Sequence, residues 1–163
     1  MILIALGSNL SSHAGDPAAT LRAALADLRD NGVTPIAVSA FYRTPAWPDP
    51  RDPEFVNAVA RVQTELSPKQ LIAQLHKTEA TFGRVRNEKN ARRSLDLDIL
   101  DYEGRIDDGP PVLPHPRMAS RAFVLVPLHD IAPDWRHPVS GKSVDDMLQA
   151  VPQAERSAVV RAG

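Results

Sequence analysis

Twice in its first half the chain carries the same punctuation: a capping side chain, a proline, apolar residues at helical spacing, then a glycine. Asp16-Pro17 opens "AATLRAALADLRDNG", with Leu21, Leu25 and Leu28 on one face and Gly32 after the end. Ser67-Pro68 opens a second run in which Leu71, Ile72, Leu75 and Phe82 share a face, closed by Gly83. An N-cap oxygen, a proline where no N–H is needed and a glycine past the last turn delimit amphipathic helices. Between and around them lies β-rich sequence: "ILIAL" (2–6), "VTPIAVSAFYRT" (33–44), "EFVNAVARVQTEL" (54–66) and "SLDLDILDY" (94–102). The order β, α, β, β, α, β predicts an α+β fold, a ferredoxin-like sandwich whose antiparallel sheet has flanking helices on one face.

The two middle strands are separated by "PAWPDPRDP", four prolines in nine residues. Such a stretch is neither helix nor central strand, so it is an irregular loop of the kind that carries function. Further on, "HPRMASRAFVLVPLHDIAP" reads as a short helical turn followed by an apolar helix or strand, and "SVDDMLQAV" as a short helix capped by Ser143.

At 163 residues, with 43% hydrophobic and 24% charged, the chain fits a single compact domain over 1–163. It contains no cysteine, which removes disulfides, thiolate metal sites and thiol nucleophiles together. Its opening apolar run is too short for a signal sequence or a membrane span, so a cytoplasmic protein is expected. A net charge of −1 gives no reason to expect nucleic acid or membrane as a partner; a monomer acting on small molecules is expected.

Charge is nevertheless distributed unevenly. Arg84, Arg86, Lys89, Arg92 and Arg93 fall within ten residues, and Asp96, Asp98, Asp101, Glu103, Asp107 and Asp108 follow. In a strand, Leu95, Leu97 and Ile99 face one side while Asp96, Asp98 and Leu100 face the other. That makes the two carboxylates neighbours, their Cα atoms roughly 6.5–7 Å apart, a repulsive pair that calls for a cation. Magnesium suits it, being bound by one or two carboxylates together with substrate phosphates. A solvated edge face is the plain alternative. The arginine-rich loop beside the pair favours a clamp for a magnesium nucleotide, because the guanidinium fork matches phosphate oxygens. There is no Walker-type glycine loop, and the five histidines lack zinc-site spacing. His115, held between Pro114 and Pro116, is either a nucleotide or phosphate contact or a support for its loop. Around the proline loop, Tyr42, Trp47 and Phe55 with the amide of Asn57 suit a flat slot that stacks a heterocycle and reads its edge, although ordinary core packing explains Tyr42 or Phe55 equally well.

Taken in order, "ALGSNL", "SAFYRTPAW", "FVNAV", "GRVR" before "RSLDLDIL", and "LPHPRMASRAFVLVPL" resemble the 6-hydroxymethyl-7,8-dihydropterin pyrophosphokinases of folate biosynthesis. The resemblance implies transfer of pyrophosphate from ATP to the pterin hydroxymethyl group, leaving AMP, with two Mg2+ ions held by Asp96 and Asp98. It implies that Arg84 and Arg93 hold phosphates, with Arg86 nearby, and that Glu79, His115 and Arg121 serve the ATP side. For the pterin it implies Thr44, Pro45, Phe55, Asn57 and Phe123, with a backbone contact near Gly7. Two departures stand out. "KNARR" lacks the tryptophan and proline that some members carry before the final arginine, and Pro110 and Val112 stand where some have arginine and threonine.

Two other classes compete. A ferredoxin-like RNA-binding module would share the sheet and the basic loop, but it is opposed by the net charge and by the lack of an RNP-type aromatic pattern. A pterin-binding module without catalysis would bind but release no AMP.

Overall fold

A computed structural model of the chain describes residues 1–46, 49–83 and 94–162. Its elements are β1 (Ile2–Ser8), α1 (Pro17–Asp30), β2 (Thr34–Val38), β3 (Tyr42–Thr44), β4 (Phe55–Gln63), α2 (Pro68–Thr81), β5 (Asp96–Tyr102), α3 (Ala122–Ile131), α4 (Val144–Ala150), α5 (Gln153–Ser157) and β6 (Val160–Arg161), with a 3-10 turn at Met118–Ser120. The strands form one antiparallel sheet in the order β5-β1-β4-β3-β6, with β2 also pairing β4. No helix among the described residues is long and apolar enough to cross a membrane.

Both punctuated helices form where the sequence predicts. Asp16 Oδ1 accepts the Ala19 N–H at 2.8 Å, and α1 closes with the Val33 N–H donating to Leu28 O at 2.9 Å across Gly32, whose φ is +84°. Ser67 and Gln70 make a reciprocal capping box, which satisfies two otherwise orphaned N–H groups at the start of α2.

The expectation of helices on one face is corrected: both faces are covered. Ile2, Ile4 and Leu6 of β1 pack with Leu21, Leu28, Leu71 and Leu75 of α1 and α2. Leu3, Val59 and Leu100 instead pack with Met118, Leu125, Leu128, Val144 and Met147. β1 is buried along almost its whole length, as a central strand with helices on both sides must be. The apolar stretch 122–131 is therefore a helix, capping a second core. Two further departures concern strands. The segment 33–44 is two strands rather than one, with Ser39–Phe41 between them, and the short β6 docks on β3.

β5 alternates as expected up to Ile99, and then the register against β1 shifts, Ile4 pairing with Ile99 and Leu3 with Asp101. Leu100 is the extra residue of this bulge. Asp101 is buried, accepting the Trp135 Nε1–H at 2.9 Å and the Gly104 N–H at 3.0 Å. The bulge thus turns a carboxylate inward, where two donors satisfy it.

Candidate functional site

Gly7 pairs with Asn57 on one side and Asp96 on the other, and Asn57 pairs with Tyr42. Asp96, Gly7, Asn57 and Tyr42 therefore form one rung across four strands, their side-chain directions on the same face. Thr44 and Phe55 pair two positions along on that face, and Asp98, Ala5 and Val59 form the rung on the other side. The candidate slot residues and the candidate metal carboxylates thus occupy adjoining rungs at one end of the sheet.

This end is polar but ordered. The Asn57 amide donates to Thr44 Oγ1 at 2.8 Å, and both residues are buried. A methyl group on Gly7 would lie 2.8 Å from Asn57 Oδ1 and 3.9 Å from Phe55 Cδ1. Gly7 is thus the space into which the Asn57 carbonyl oxygen fits, a role beyond the backbone contact expected of it. Phe55 is half-buried and Pro45 is exposed. Asp96 and Asp98 are also half-buried, unlike their neighbours Leu97 and Ile99.

Helix α3 packs on β4 and reaches β3. Its N-cap, Arg121, and Asp96 both act electrostatically on His115. At the β3 side, Asp130 of its last turn accepts the Tyr42 hydroxyl at 2.7 Å. The Arg121 guanidinium lies 5.4 Å from the Phe123 ring centre, a cation–π distance. Phe123 is 36% exposed, enough to offer a ring edge or face to a ligand.

His115 is pushed down to about 4, first by burial and then by the positive charges of Arg121 and Arg117, with Asp96 opposing. It is neutral at pH 7. Its Nδ1 accepts the Arg117 N–H at 3.1 Å, which leaves the proton on Nε2 as a donor. Its own N–H donates to Leu100 O, so His115 supports its loop.

Glu79 lies on the opposite face, in α2, and is buried; its Oε2 accepts the Leu97 N–H at 2.8 Å. It braces the edge strand between the two aspartates. Tyr42, read as a slot aromatic, is buried with its hydroxyl committed to Asp130. Arg84, Arg86 and Arg93, like Lys89, Arg92 and Trp47, lie outside the described residues.

Among the described residues no three His, Asp or Glu side chains gather as a metal cage. A pair of carboxylates on adjoining rungs fits a hard cation that takes its remaining ligands from phosphate and water. Sequence reasoning missed Asp130 and the spatial role of Gly7, since neither a lone aspartate late in an apolar helix nor a strand glycine shows a local pattern.

The sequence profile of the 7,8-dihydro-6-hydroxymethylpterin-pyrophosphokinase family matches residues 3–133. A 2-amino-4-hydroxy-6-hydroxymethyldihydropteridine pyrophosphokinase of Methylorubrum extorquens is 42% identical over 147 residues, covering 89% of each chain. The protein of the same name from Pseudomonas aeruginosa is 40% identical over 153 residues, covering 93% of this chain and 91% of that one. Among solved structures, the Plasmodium falciparum HPPK-DHPS protein superposes with a TM-score of 0.66 at 13% identity. The match covers 91% of this chain but 44% of the malarial one, and it speaks for the fold alone.

Proposed function

We propose, from the premise that this chain belongs to the 7,8-dihydro-6-hydroxymethylpterin-pyrophosphokinase family, that the open end of its sheet is where ATP and hydroxymethyldihydropterin react. The activity is that of an ATP-dependent pyrophosphokinase of folate biosynthesis. The observation that carries the assignment is the shared rung, since Asp96 and Asn57 flank Gly7 on one face.

In this reading the pterin ring lies against Phe55 and Phe123, beside Pro45, with its polar edge at the Asn57 carbonyl oxygen, the Thr44 hydroxyl and the backbone at Gly7. Amide and hydroxyl groups already bonded to each other read that edge without reorganising. Asp96 and Asp98 hold Mg2+, two ions with ATP bound. When bound, these ions neutralise the phosphate charge and lower the barrier to attack at phosphorus. His115 donates from Nε2 and Arg121 supplies a fixed positive charge on the ATP side. Glu79 acts from below by holding β5, and Arg84, Arg86 and Arg93 complete the phosphate contacts.

The reaction joins the pterin hydroxymethyl oxygen to the β-phosphorus of ATP. The bond from that phosphorus to the α-phosphate bridging oxygen breaks, AMP departs with the bond electrons, and the hydroxyl proton is lost to solvent. Attack by an alcohol needs alignment and charge neutralisation more than covalent help, which suits a site of ordered polar groups. Residues 1–163 act as one domain, a cytosolic monomer working on two small molecules and not on nucleic acid or membrane.

Nucleotide product analysis tests it. With hydroxymethyldihydropterin, ATP and Mg2+, AMP should form in step with pterin consumption. Asp98→Ala should lower the rate by roughly two or more orders of magnitude while leaving the protein folded. Formation of ADP, or a variant with near-normal turnover, would reject the assignment.

A further inference from the structure

Tyr42, Asp130 and Arg161 form a polar cluster at the β3 edge that the proposed reaction does not use. One oxygen of Asp130 accepts both the Tyr42 hydroxyl at 2.7 Å and the Ala40 N–H at 3.2 Å. A single carboxylate in the last turn of α3 therefore holds the turn into β3 and the first side chain of β3. Arg161 of β6 pairs directly with Tyr42, and the next residue, Ala162, donates its N–H to Phe41 O at 2.8 Å. β3 is only three residues long, so its few ladder bonds fix it weakly and each additional anchor counts.

The consequence lies two residues away. Thr44 ends the same strand and takes the Asn57 amide, and Asn57 is Tyr42's own partner across the ladder. In the reading above, the opposing wall of the slot is α3, which carries Phe123. The Tyr42–Asp130 bond therefore joins the strand that carries Thr44 to the helix that carries Phe123.

We propose that Tyr42 and Asp130 are positioning residues which set the width of the pterin slot by tying β3 to α3. The tie rests on the slot assignment made above. The Tyr42 hydroxyl is pushed up to about 12 by burial and by Asp130, against the opposing charge of Arg161, so it remains a donor throughout the working pH range. Of the two roles open to Tyr42, stacking or packing, its burial and its bond to Asp130 favour the frame in which others stack.

The test measures KM for each substrate, kcat and the thermal midpoint for Tyr42→Phe, Asp130→Ala, Asp130→Asn and Asn57→Ala. Tyr42→Phe and Asp130→Ala should each raise the pterin KM roughly tenfold, as loss of alignment does, with kcat and the ATP KM within about twofold of the parent. The double variant of Tyr42→Phe and Asp130→Ala should be no worse than Asp130→Ala alone, since that change already removes the Tyr42 bond together with the Ala40 one. Asp130→Asn keeps an acceptor oxygen and should restore most of the pterin KM. A lower thermal midpoint with an unchanged pterin KM in Tyr42→Phe would overturn the tie and leave a structural bond only. If Asn57→Ala raises the pterin KM while Tyr42→Phe does not, the tie alone fails. If neither variant moves it, the slot assignment fails and takes the tie with it.

Discussion

Along one face of the sheet two regions share strands but not chemistry. Under α3 and α4, β1, β4 and β5 present Leu3, Val59 and Leu100 to Leu125, Leu128 and Met147. From the rung of Val59 onward, the same strands present Asp98, then Gly7, Asn57 and Asp96. The first region is apolar and closed, so its side chains are chosen by volume. In the second, Asp96 and Asp98 are half-buried, and the polar groups are held by one another, by the ladder and by Asp130. A site of this kind gains its precision from the closed region, which sets the distance between helix and sheet.

Variants on the two sides should separate stability from turnover, and the largest effect belongs to the closed region. Leu125→Ala should cost about 2–5 kcal/mol of stability, because Leu125 is fully buried and its loss leaves a cavity. Urea unfolding measures this, and turnover per folded molecule should stay close to the parent. A matching collapse of turnover would show that the two regions are not separable. Asp98→Ala should do the reverse, removing turnover at near-parental stability.

Gly7→Ala sharpens the comparison within the open region. The added methyl meets Asn57 Oδ1 at 2.8 Å, so the amide must shift, and the pterin KM should rise roughly tenfold. An unchanged KM would mean that the Asn57 carbonyl oxygen does not contact the substrate.

The smallest effect is the pH dependence of His115. Its folded pKa, about 4, lies below the ordinary 6.5, so the unfolded chain binds its proton first as pH falls. Stability should therefore be undiminished by this group above pH 6.5, decline between 6.5 and 4, and change no further below 4. His115→Asn, which keeps an acceptor for the Arg117 N–H, should flatten that decline in urea midpoints measured across the window. A variant that tracks the parent would show that His115 is not the group responsible.

How much of this was legible depended on whether the signal was local. Asp16, Ser67 and the glycines beyond α1 and α2 announce helix ends because capping is a contact within four residues. The two carboxylates of β5 were legible for a similar reason, since alternation is a property of one strand. α3 was not, because "AFVLVPLHDI" is apolar over its first six residues and shows no helical or strand period. Nor was the second helix layer, since a strand apolar on both sides is told from a helix segment only by what packs against it. Asp101 belongs to the same group. In the sequence it continues an acidic run, and only the bulge at Leu100 turns it in to Trp135.

The sequence by itself determined where the chain could turn and cap, which residues could face together along each strand, and, through its ordered motifs, the family. Those are matters of short-range geometry and residue chemistry. The tertiary structure decided that Gly7 makes room for Asn57, that Asp96 shares their rung and that Tyr42 is buried with its hydroxyl on α3. Each of these joins residues far apart in the chain, and such contacts arise from sheet register and helix packing, which no window of sequence contains.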